Sequence, residues 1–269
     1  SDGFTTGTAL AGDTSDGIAS WNWKANGTGS ANTDGSISST VSANTTSGFS
    51  IIDFNGTEAN GSVGHGLGVS PSMFIMKRYT DDGYSTSIAW YTYHKSLASN
   101  KYLELQSTSA EATNDGSLWN TTTPVTNAVI NIGFNANSNN IGCKTLIYAF
   151  AEKQGYSKIG SYVGNGNADG TFVYTGFKPA FILTKCSSVT GDDWFIQDTT
   201  RNTANPVGAY LRPNNSNVES SFNHYDILSN GFKNLYAGGS LNTSGRTYIY
   251  MAFAEAPIVG TNGVTAKAR

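Results

Sequence analysis

The sequence predicts an all-β protein built from two tandem antiparallel β-sandwich domains, each jelly-roll-like. Its composition supports this fold class, because aromatic residues make up 12 % of the chain and 31 of the 269 residues are glycine. Aromatic and β-branched side chains favour pleated strands, whereas Gly, Asn, Asp and Ser favour the turns between them. Each half of the chain also holds roughly seven or eight short apolar runs separated by turn clusters, the usual pattern of sandwiches and barrels.

An internal repeat of about 105 residues, an ordinary domain size, divides most of the chain into two copies. The phrase FSIIDFNGTEANG, which starts at Phe49, corresponds to YSKIGSYVGNGNADG, which starts at Tyr156. Trp90 and Trp194 then open matching aromatic runs, and the copies close on TLIYAFAE and TYIYMAFAE. The predicted boundaries are residues 48–154 for repeat 1, residues 155–257 for repeat 2 and residues 258–269 for a C-terminal tail.

The N-terminal part of the chain echoes the end of a repeat. SDGFTTGTALAGDTSDGIASWNWKANG has the opening, the polar turn and the aromatic ending of SNGFKNLYAGGSLNTSGRTYIYMAFAEAP. Residues 1–24 are therefore interpreted as the closing hairpin of a preceding repeat. A lone hairpin is barely stable in water, so this one should pack on repeat 1 or on a neighbouring chain. Residues 25–47 are predicted to be a Gly/Ser/Asn-rich linker with one β-like piece at residues 37–41.

The two closing strands, TLIYAFAE and TYIYMAFAE, are apolar on both faces. A half-exposed strand would alternate with polar residues, so each must be a central strand covered twice, or its outer face must meet another domain or subunit. The second copy also carries an extra residue, Met251. Because a shift of one residue turns a strand over, Met251 predicts either a β-bulge or a Phe253 that faces opposite to Phe150.

Charge and motif patterns exclude several kinds of function. The net charge of −3 and the pI of about 5.5 argue against nucleic-acid binding. The longest apolar runs fall well short of the ~20 residues that span a bilayer, so no membrane insertion is expected. His65, His94 and His224 lack metal-ligand spacing, and neither a metal nor a cofactor is expected. Cys143 and Cys186 are interpreted as buried thiols, with a single bridge between them as the alternative.

Acidic residues do not suggest an enzyme. A glycosidase needs two carboxyl groups about 5 to 10 Å apart in a cleft, and this chain has few acids. Two acid pairs, Asp81–Asp82 and Asp192–Asp193, fall at matching hairpin tips, where carbonyl groups could complete a calcium site. Hairpin tips favour Asp in any case, so a structural role is the simpler interpretation.

Two aromatic residues are candidates for ligand contact. Trp90 and Trp194 recur inside strand-like runs and should belong to the core. Trp119, in the polar stretch DGSLWNTTTP, has no counterpart in repeat 2, and Tyr84 lies on a predicted hairpin tip. Trp119 and Tyr84 are therefore the predicted exposed contacts for a ligand such as a sugar ring.

Several phrases carry a resemblance to a known group of proteins. ASWNWKANG, GFSIIDFNG, VGHGLGVSPSMFIMKR, LSNGFK and TYIYMAFAEAP resemble a repeat found in large virion proteins of environmental, notably marine, tailed bacteriophages. The resemblance covers nearly the whole chain. It implies a virion structural protein, such as a tail fibre or appendage module, in a family of unknown function with no known active site.

That resemblance sets the expectations for partners and location. A tail-fibre module would self-associate, with a homotrimer favoured, and would contact other virion proteins and a host-surface glycan. Its location would be the virion or the extracellular space. The alternatives are a carbohydrate-binding module, an extracellular filament protein without a phage role, and a polysaccharide-degrading enzyme.

Overall fold

The computed structural model describes residues 18–80 and 89–255. Within these ranges the secondary structure consists of β-strands and one four-residue helix, and the strand pairings are antiparallel. The predicted all-β antiparallel class is therefore confirmed. Its cause is local: the apolar runs are short, rich in Ile, Val, Phe and Tyr, and interrupted by Gly and Asn before a helix could propagate.

Ten strands precede residue 155. They are β1 (Ser30–Asn32), β2 (Ser39–Asn44), β3 (Phe49–Asn55), β4 (Gly61–Gly64), β5 (Met73–Arg78), β6 (Tyr91–His94), β7 (Lys101–Glu104), β8 (Ala112–Thr113), β9 (Val129–Ile132) and β10 (Lys144–Phe150).

Eight strands and the short helix follow. They are β11 (Ser157–Val163), β12 (Phe172–Tyr174), β13 (Phe181–Cys186), β14 (Trp194–Asp198), β15 (Val207–Leu211), β16 (Ser220–Leu228), β17 (Gly231–Asn234), α1 (Gly239–Asn242) and β18 (Thr247–Phe253).

Each repeat builds one large sheet with the same central order. The first sheet runs β1-β2-β3-β10-β5-β6-β7-β8, and the second runs β11-β18-β13-β14-β15-β16-β17-β12. In the first sheet the closing strand β10 lies between the opening strand β3 and β5, the strand after Pro71. In the second sheet the closing strand β18 lies between the opening strand β11 and β13, the strand after Pro179. Strands β4 and β9 pair separately in a two-stranded sheet. This central position suits the closing strands, because a strand that is apolar on both faces is stable only where both faces are kept from water.

Residues 25–47 are more than a linker, which corrects the sequence prediction. Strands β1 and β2 extend the first sheet beyond β3, with Val41 paired to Ile52 in register. Ile37 and Val41 are buried in the core of repeat 1. The β-like piece predicted at residues 37–41 overlaps β2, whereas β1 was not predicted, because its short polar side chains do not favour a strand.

The predicted N-terminal hairpin is only partly within the described residues, since residues 1–17 lie outside them. Residues 18–25, here called the WNW segment, belong to no strand. They contact repeat 1, as expected, through Trp23 and Phe150, and they also contact repeat 2, which was not predicted, through Phe181 and Asp198.

The extra residue Met251 produces neither of the predicted effects. Strand β18 pairs with β11 and with β13 without a register break, so it has no bulge. Phe150 and Phe253 face the same apolar cluster, with ring centroids 6.1 Å apart. The tyrosines differ instead: Tyr148 faces that cluster, whereas Tyr250 points into the core of repeat 2. Aligning the two closing strands on their shared Ile-Tyr pair was misleading. The structure matches the strands at their Ala-Phe-Ala-Glu ends, which places Phe150 and Phe253 at equivalent positions.

Three apolar clusters hold the structure together. One fills repeat 1 and includes Phe74 and Ile147, and one fills repeat 2 and includes Phe232 and Tyr248. The third lies between the outer faces of the two large sheets. The closing strands are therefore central strands whose outer faces meet the other repeat, so both explanations for their apolar character are confirmed. Each fully buried large side chain there contributes roughly 1.5–3 kcal/mol.

Candidate interaction site at the junction of the two repeats

The junction is an apolar layer formed by the outward sides of both closing strands. On β10 these residues include Phe150, and on β18 they include Met251 and Phe253. Leu183 on β13 and Met73 on β5 pack into the same layer. Antiparallel pairing places alternate residues of adjacent strands on one face, so each sheet offers a continuous apolar surface to the other.

Buried polar contacts fix the relative position of the two repeats. The Nε2 of His94 in repeat 1 lies 3.2 Å from the Tyr250 carbonyl oxygen in repeat 2. The indole Nε1 of Trp194 in repeat 2 donates to the Glu104 carbonyl oxygen in repeat 1, at 3.0 Å. Because a buried polar group without a partner costs free energy, these contacts penalise any sliding of one sheet over the other.

His94 is neutral in the folded protein. Burial lowers its pKa to about 4. Its Nδ1 accepts a hydrogen bond from the Ser96 backbone N–H at 3.1 Å, so Nε2 carries the proton and donates to Tyr250.

The loop after β7 closes one side of the junction. Lys185 of repeat 2 is fully buried and donates from Nζ to the carbonyl oxygens of Thr108, at 3.3 Å, and Asp192, at 2.8 Å. Burial lowers the pKa of Lys185. Two backbone hydrogen bonds, from Gly191 N to Thr108 O and from Glu111 N to Ser187 O, continue this contact. A loop of repeat 1 thus seals the β13–β14 hairpin of repeat 2.

The WNW segment lies over the centre of the junction. The ring of Trp23 is 5.8 Å from Phe150, 5.3 Å from Phe181 and 5.6 Å from Phe253, measured between centroids. The edge-on arrangements, with interplanar angles of 63° to 90°, are favoured by the ring quadrupoles. Trp23 therefore contacts both repeats at once.

Trp21 holds the same segment through contacts with two charged side chains, Asp198 and Arg201. Its Nε1 donates to Asp198 Oδ2 at 3.1 Å, and the Arg201 guanidinium lies 5.4 Å from its ring centroid. Arg201 also pairs with Asp198, at 2.6 Å. Burial alone would raise the pKa of Asp198, but its hydrogen bonds from Arg201 bring the pKa below its usual value. The carboxylate therefore stays ionised and holds both neighbours.

An apolar groove of about 420 Å³ runs beside the WNW segment. One wall comes from repeat 1, through Ile51 and Tyr148, and the other from repeat 2, through Ile196 and Pro213. The lining is mostly aromatic and aliphatic, which is the character of a surface that receives another apolar element.

The expectation that Trp119 is an exposed contact is wrong. Its side chain is 0 % exposed and packs against Phe74, Tyr93 and Tyr102, with centroids 5.1 to 6.3 Å away. Its Nε1 donates to the Ser99 carbonyl oxygen at 3.2 Å. The polar loop around it folds over the end of the core, so polarity of the flanking residues did not indicate exposure. Tyr84, the other predicted contact, lies outside the described residues.

The repeat-related tryptophans differ in burial. Trp194 is 1 % exposed, which confirms the expected core position. Trp90 is only partly buried, and the Lys77 ammonium lies 4.3 Å from its ring centroid. A cation over an indole face is a favourable contact at a partly exposed site.

A second aromatic surface lies on repeat 2, and the sequence analysis missed it. We call it the aromatic patch, and its members are Tyr210, Phe222, His224 and Tyr236. Phe222 and Tyr236 are 45 % and 38 % exposed, with centroids 4.8 Å apart. His224 packs 4.8 Å from Tyr210 and 5.2 Å from Phe222. The alternation of Phe222 and His224 on one face of β16 was the available signal, but Tyr210 and Tyr236 join it only through folding.

The acid pair of repeat 2 has cationic side chains as partners. Asp192 pairs with Arg246 at 3.0 Å, and Asp193 pairs with Arg212 at 2.9 Å. Asp81 and Asp82 lie outside the described residues. In residues 18–80 and 89–255, no group of three or more His, Cys, Asp or Glu side chains has metal-binding geometry.

The cysteines fit the simpler of their two predicted states. Cys143 and Cys186 are both buried thiols, one in each repeat. Burial raises the pKa of Cys186, so its thiolate is disfavoured.

A family model described as a domain of unknown function (DUF7483) matches residues 1–257. The chain belongs to this family. The DUF7483 match takes in the WNW segment together with both repeats, so all the residues of the junction lie inside the family's unit. Neither the curated proteins nor the solved structures contain a match. Among the described residues of this DUF7483 chain, no helix is long and apolar enough to cross a membrane.

The state of His94 gives the junction a defined pH dependence. Unfolded histidine takes up a proton below its ordinary pKa of 6.5, whereas folded His94 stays neutral down to about pH 4. Protons therefore favour the unfolded chain in that window, and the free energy of unfolding falls as the pH drops from 6.5 to 4. We expect His94 to account for up to about 3 kcal/mol of this loss.

Denaturant unfolding at pH 4 to 8 measures this effect in the wild type and in His94→Gln, which keeps an N–H donor for Tyr250. The variant should lose less stability on acidification. His224, whose pKa burial lowers to about 4, His65, whose pKa burial also lowers, and the carboxylates of Glu152 and Asp198, whose pKa lies below its usual value, contribute to the remaining slope. Equal pH slopes in the two proteins would contradict this role for His94.

Proposed function

We propose that the chain is a structural protein of a tailed-bacteriophage virion, a tail fibre or appendage module that acts outside the cell. The observation that carries the proposal is the junction, where an apolar layer and buried hydrogen bonds from His94 and Trp194 lock two tandem repeats together. An appendage must hold successive modules in fixed orientation, and such a joint does so without a flexible linker. The resemblance to phage virion repeats supports the same role.

Within this proposal each repeat is a jelly-roll-like β-sandwich domain. In repeat 1 the core lies between the large sheet and the β4–β9 pair, since Val63 and Ile130 share a cluster with Phe74. In repeat 2 the β12–β17 pair forms the end of the large sheet itself, and its Val173 and Phe232 share a core cluster with Tyr248 of the central strand β18. A second layer over an antiparallel sheet is what a sandwich requires.

The proposed role is not enzymatic. The junction carboxylates are occupied by structural partners: Asp198 by Arg201, and Glu152 by Lys95 at 2.8 Å. Burial alone would raise the pKa of Glu152, but its hydrogen bonds from Lys95 and from the Ile159 backbone lower it. A general acid needs the opposite shift, towards neutral pH.

Self-association and binding to other virion proteins belong to the proposal as predictions. The outer faces of the closing strands first suggested a homo-oligomer, with a trimer favoured, and those faces are largely covered by the other repeat.

We assign the adhesive part of this role to the aromatic patch, with a host-surface glycan as ligand. Exposed ring faces of Phe222 and Tyr236 can stack on the apolar face of a sugar ring. Arg212, whose guanidinium lies 4.8 Å from the Tyr210 ring centroid, adds a hydrogen-bond donor beside the patch. This observation also favours the alternative of a carbohydrate-binding module.

The virion role is tested on particles of the phage that encodes the chain. Antibodies raised against residues 1–269 should label an appendage of purified particles in negative-stain electron microscopy, and mass spectrometry should find the chain in the same particles. Labelling should disappear when the antibody is first absorbed with the purified chain. Absence of the chain from particles that contain the other tail proteins would contradict the proposal.

The adhesive role is tested with Phe222→Ala/Tyr236→Ala. Loss of two stacking faces should weaken binding of the fluorescent chain to host cells or to a glycan array at least about tenfold, the equivalent of 1.4 kcal/mol. Tyr174→Ala, at a tyrosine that is 64 % exposed, is the matched control and should bind normally. Wild-type binding by the double variant, or an equal loss in the control, would rule out the patch.

A further inference from the structure

The junction has an approximate threefold arrangement of aromatic rings. Phe150 and Phe253 are the last residues of β10 and β18, and Trp23 takes the corresponding place in SWNWKA, the N-terminal echo of a closing strand. Their ring centroids are 5.8 Å, 5.6 Å and 6.1 Å apart, so three equivalent positions form a nearly equilateral triangle. Phe150 and Phe253 each end the closing strand of a repeat, whereas Trp23 belongs to the WNW segment.

Polar contacts around the junction show the same threefold arrangement as the rings. His94 and Asp198 are equivalent residues. His94 ends its strand opposite Met73, which pairs with Phe150. Asp198 ends its strand opposite Phe181, which pairs with Phe253. His94 contacts the closing strand of repeat 2 at Tyr250. Asp198 accepts a hydrogen bond from Trp21 of the WNW segment. Repeat 2 therefore holds the WNW segment as repeat 1 holds repeat 2.

The surface of repeat 2 that repeat 1 covers is more exposed on repeat 1 itself. Trp194 is buried and donates a hydrogen bond to the Glu104 carbonyl oxygen of repeat 1, whereas the equivalent Trp90 is partly exposed. Lys185 is fully buried against Thr108, whereas the equivalent Lys77 is partly exposed and lies over Trp90. Repeat 1 thus presents a prepared surface for a body that would contact it as repeat 1 contacts repeat 2.

The apolar groove lies between the two surfaces that such a body would touch. Ile51 and Tyr148 belong to the uncovered side of repeat 1, and Ile196 and Pro213 belong to the outward side of repeat 2 next to Asp198. The WNW segment lines the groove between them.

We propose that the groove receives a third copy of the repeat, which precedes the WNW segment in the same polypeptide and completes a ring of three sheets. The WNW segment would be its closing strand, as β10 is for repeat 1, and residues 26–48, with β1 and β2, lead from it to the opening strand β3. A copy from another chain would bring its own closing strand to the place that Trp23 fills. This inference is independent of the proposed virion role.

Hydroxyl-radical footprinting with mass spectrometry tests the ring. Residues 1–269 are compared with the same polypeptide extended by the preceding repeat, about 105 residues. We expect Trp90 and Tyr148 to react about fivefold or more slowly in the longer chain. Trp194 should be protected in both chains and Tyr174 exposed in both, which controls for dose. Equal rates at Trp90 in the two chains, or a longer polypeptide that encodes no such copy, would overturn the proposal.

A groove variant separates this occupant from a second copy of the chain. Ile51→Asp should lower the melting temperature of residues 1–269 to some extent, because Ile51 is half-buried against the junction cluster. In the longer chain it should lower the melting temperature clearly more and restore the reactivity of Trp90. Val163→Asp, at an exposed strand end, is the matched control for both lengths. If residues 1–269 instead dimerise in sedimentation velocity and Ile51→Asp abolishes the dimer, the occupant is a second copy and the proposal is wrong.

Discussion

The structure depends on one apolar contact, the meeting of Phe150, Phe253 and Trp23 between two sheets. The closing strands can be central and apolar on both faces only because this contact keeps their outer faces from water. The buried histidine and lysine of the junction follow from it, since each is stable inside only with the carbonyl partners that the opposite repeat supplies.

Much of the fold could be predicted because it follows from local patterns of residue types along the sequence. Composition and turn spacing gave the antiparallel all-β class, and the two-sided apolar character of TLIYAFAE and TYIYMAFAE indicated an outer contact. The strand β1 could not be found this way, because its pairing partner β2 rather than its own propensity determines it. Met251 was misplaced for a related reason: register comes from neighbouring strands, not from the best match of letters.

The candidate site was less accessible to sequence reasoning. Trp119 lies among polar residues in the chain, yet those residues fold over the core and bury it. The groove is assembled from strands far apart in sequence, and the aromatic patch from β15, β16 and Tyr236, which follows β17. No periodic pattern joins Ile51 to Ile196 or Phe222 to Tyr236. The equivalence of His94 and Asp198 also needed the strand register, because the two residues share no chemistry.

A double-mutant cycle on Phe150→Ala and Phe253→Ala tests the central contact most directly. The free energy of unfolding of the wild type, both single variants and the double variant is measured by denaturant titration. We expect a coupling energy of about 0.5–1.5 kcal/mol or more, because each ring packs against the other across the junction. Additive effects, or separate unfolding transitions for the two repeats in the wild type, would contradict a structure organised around this contact.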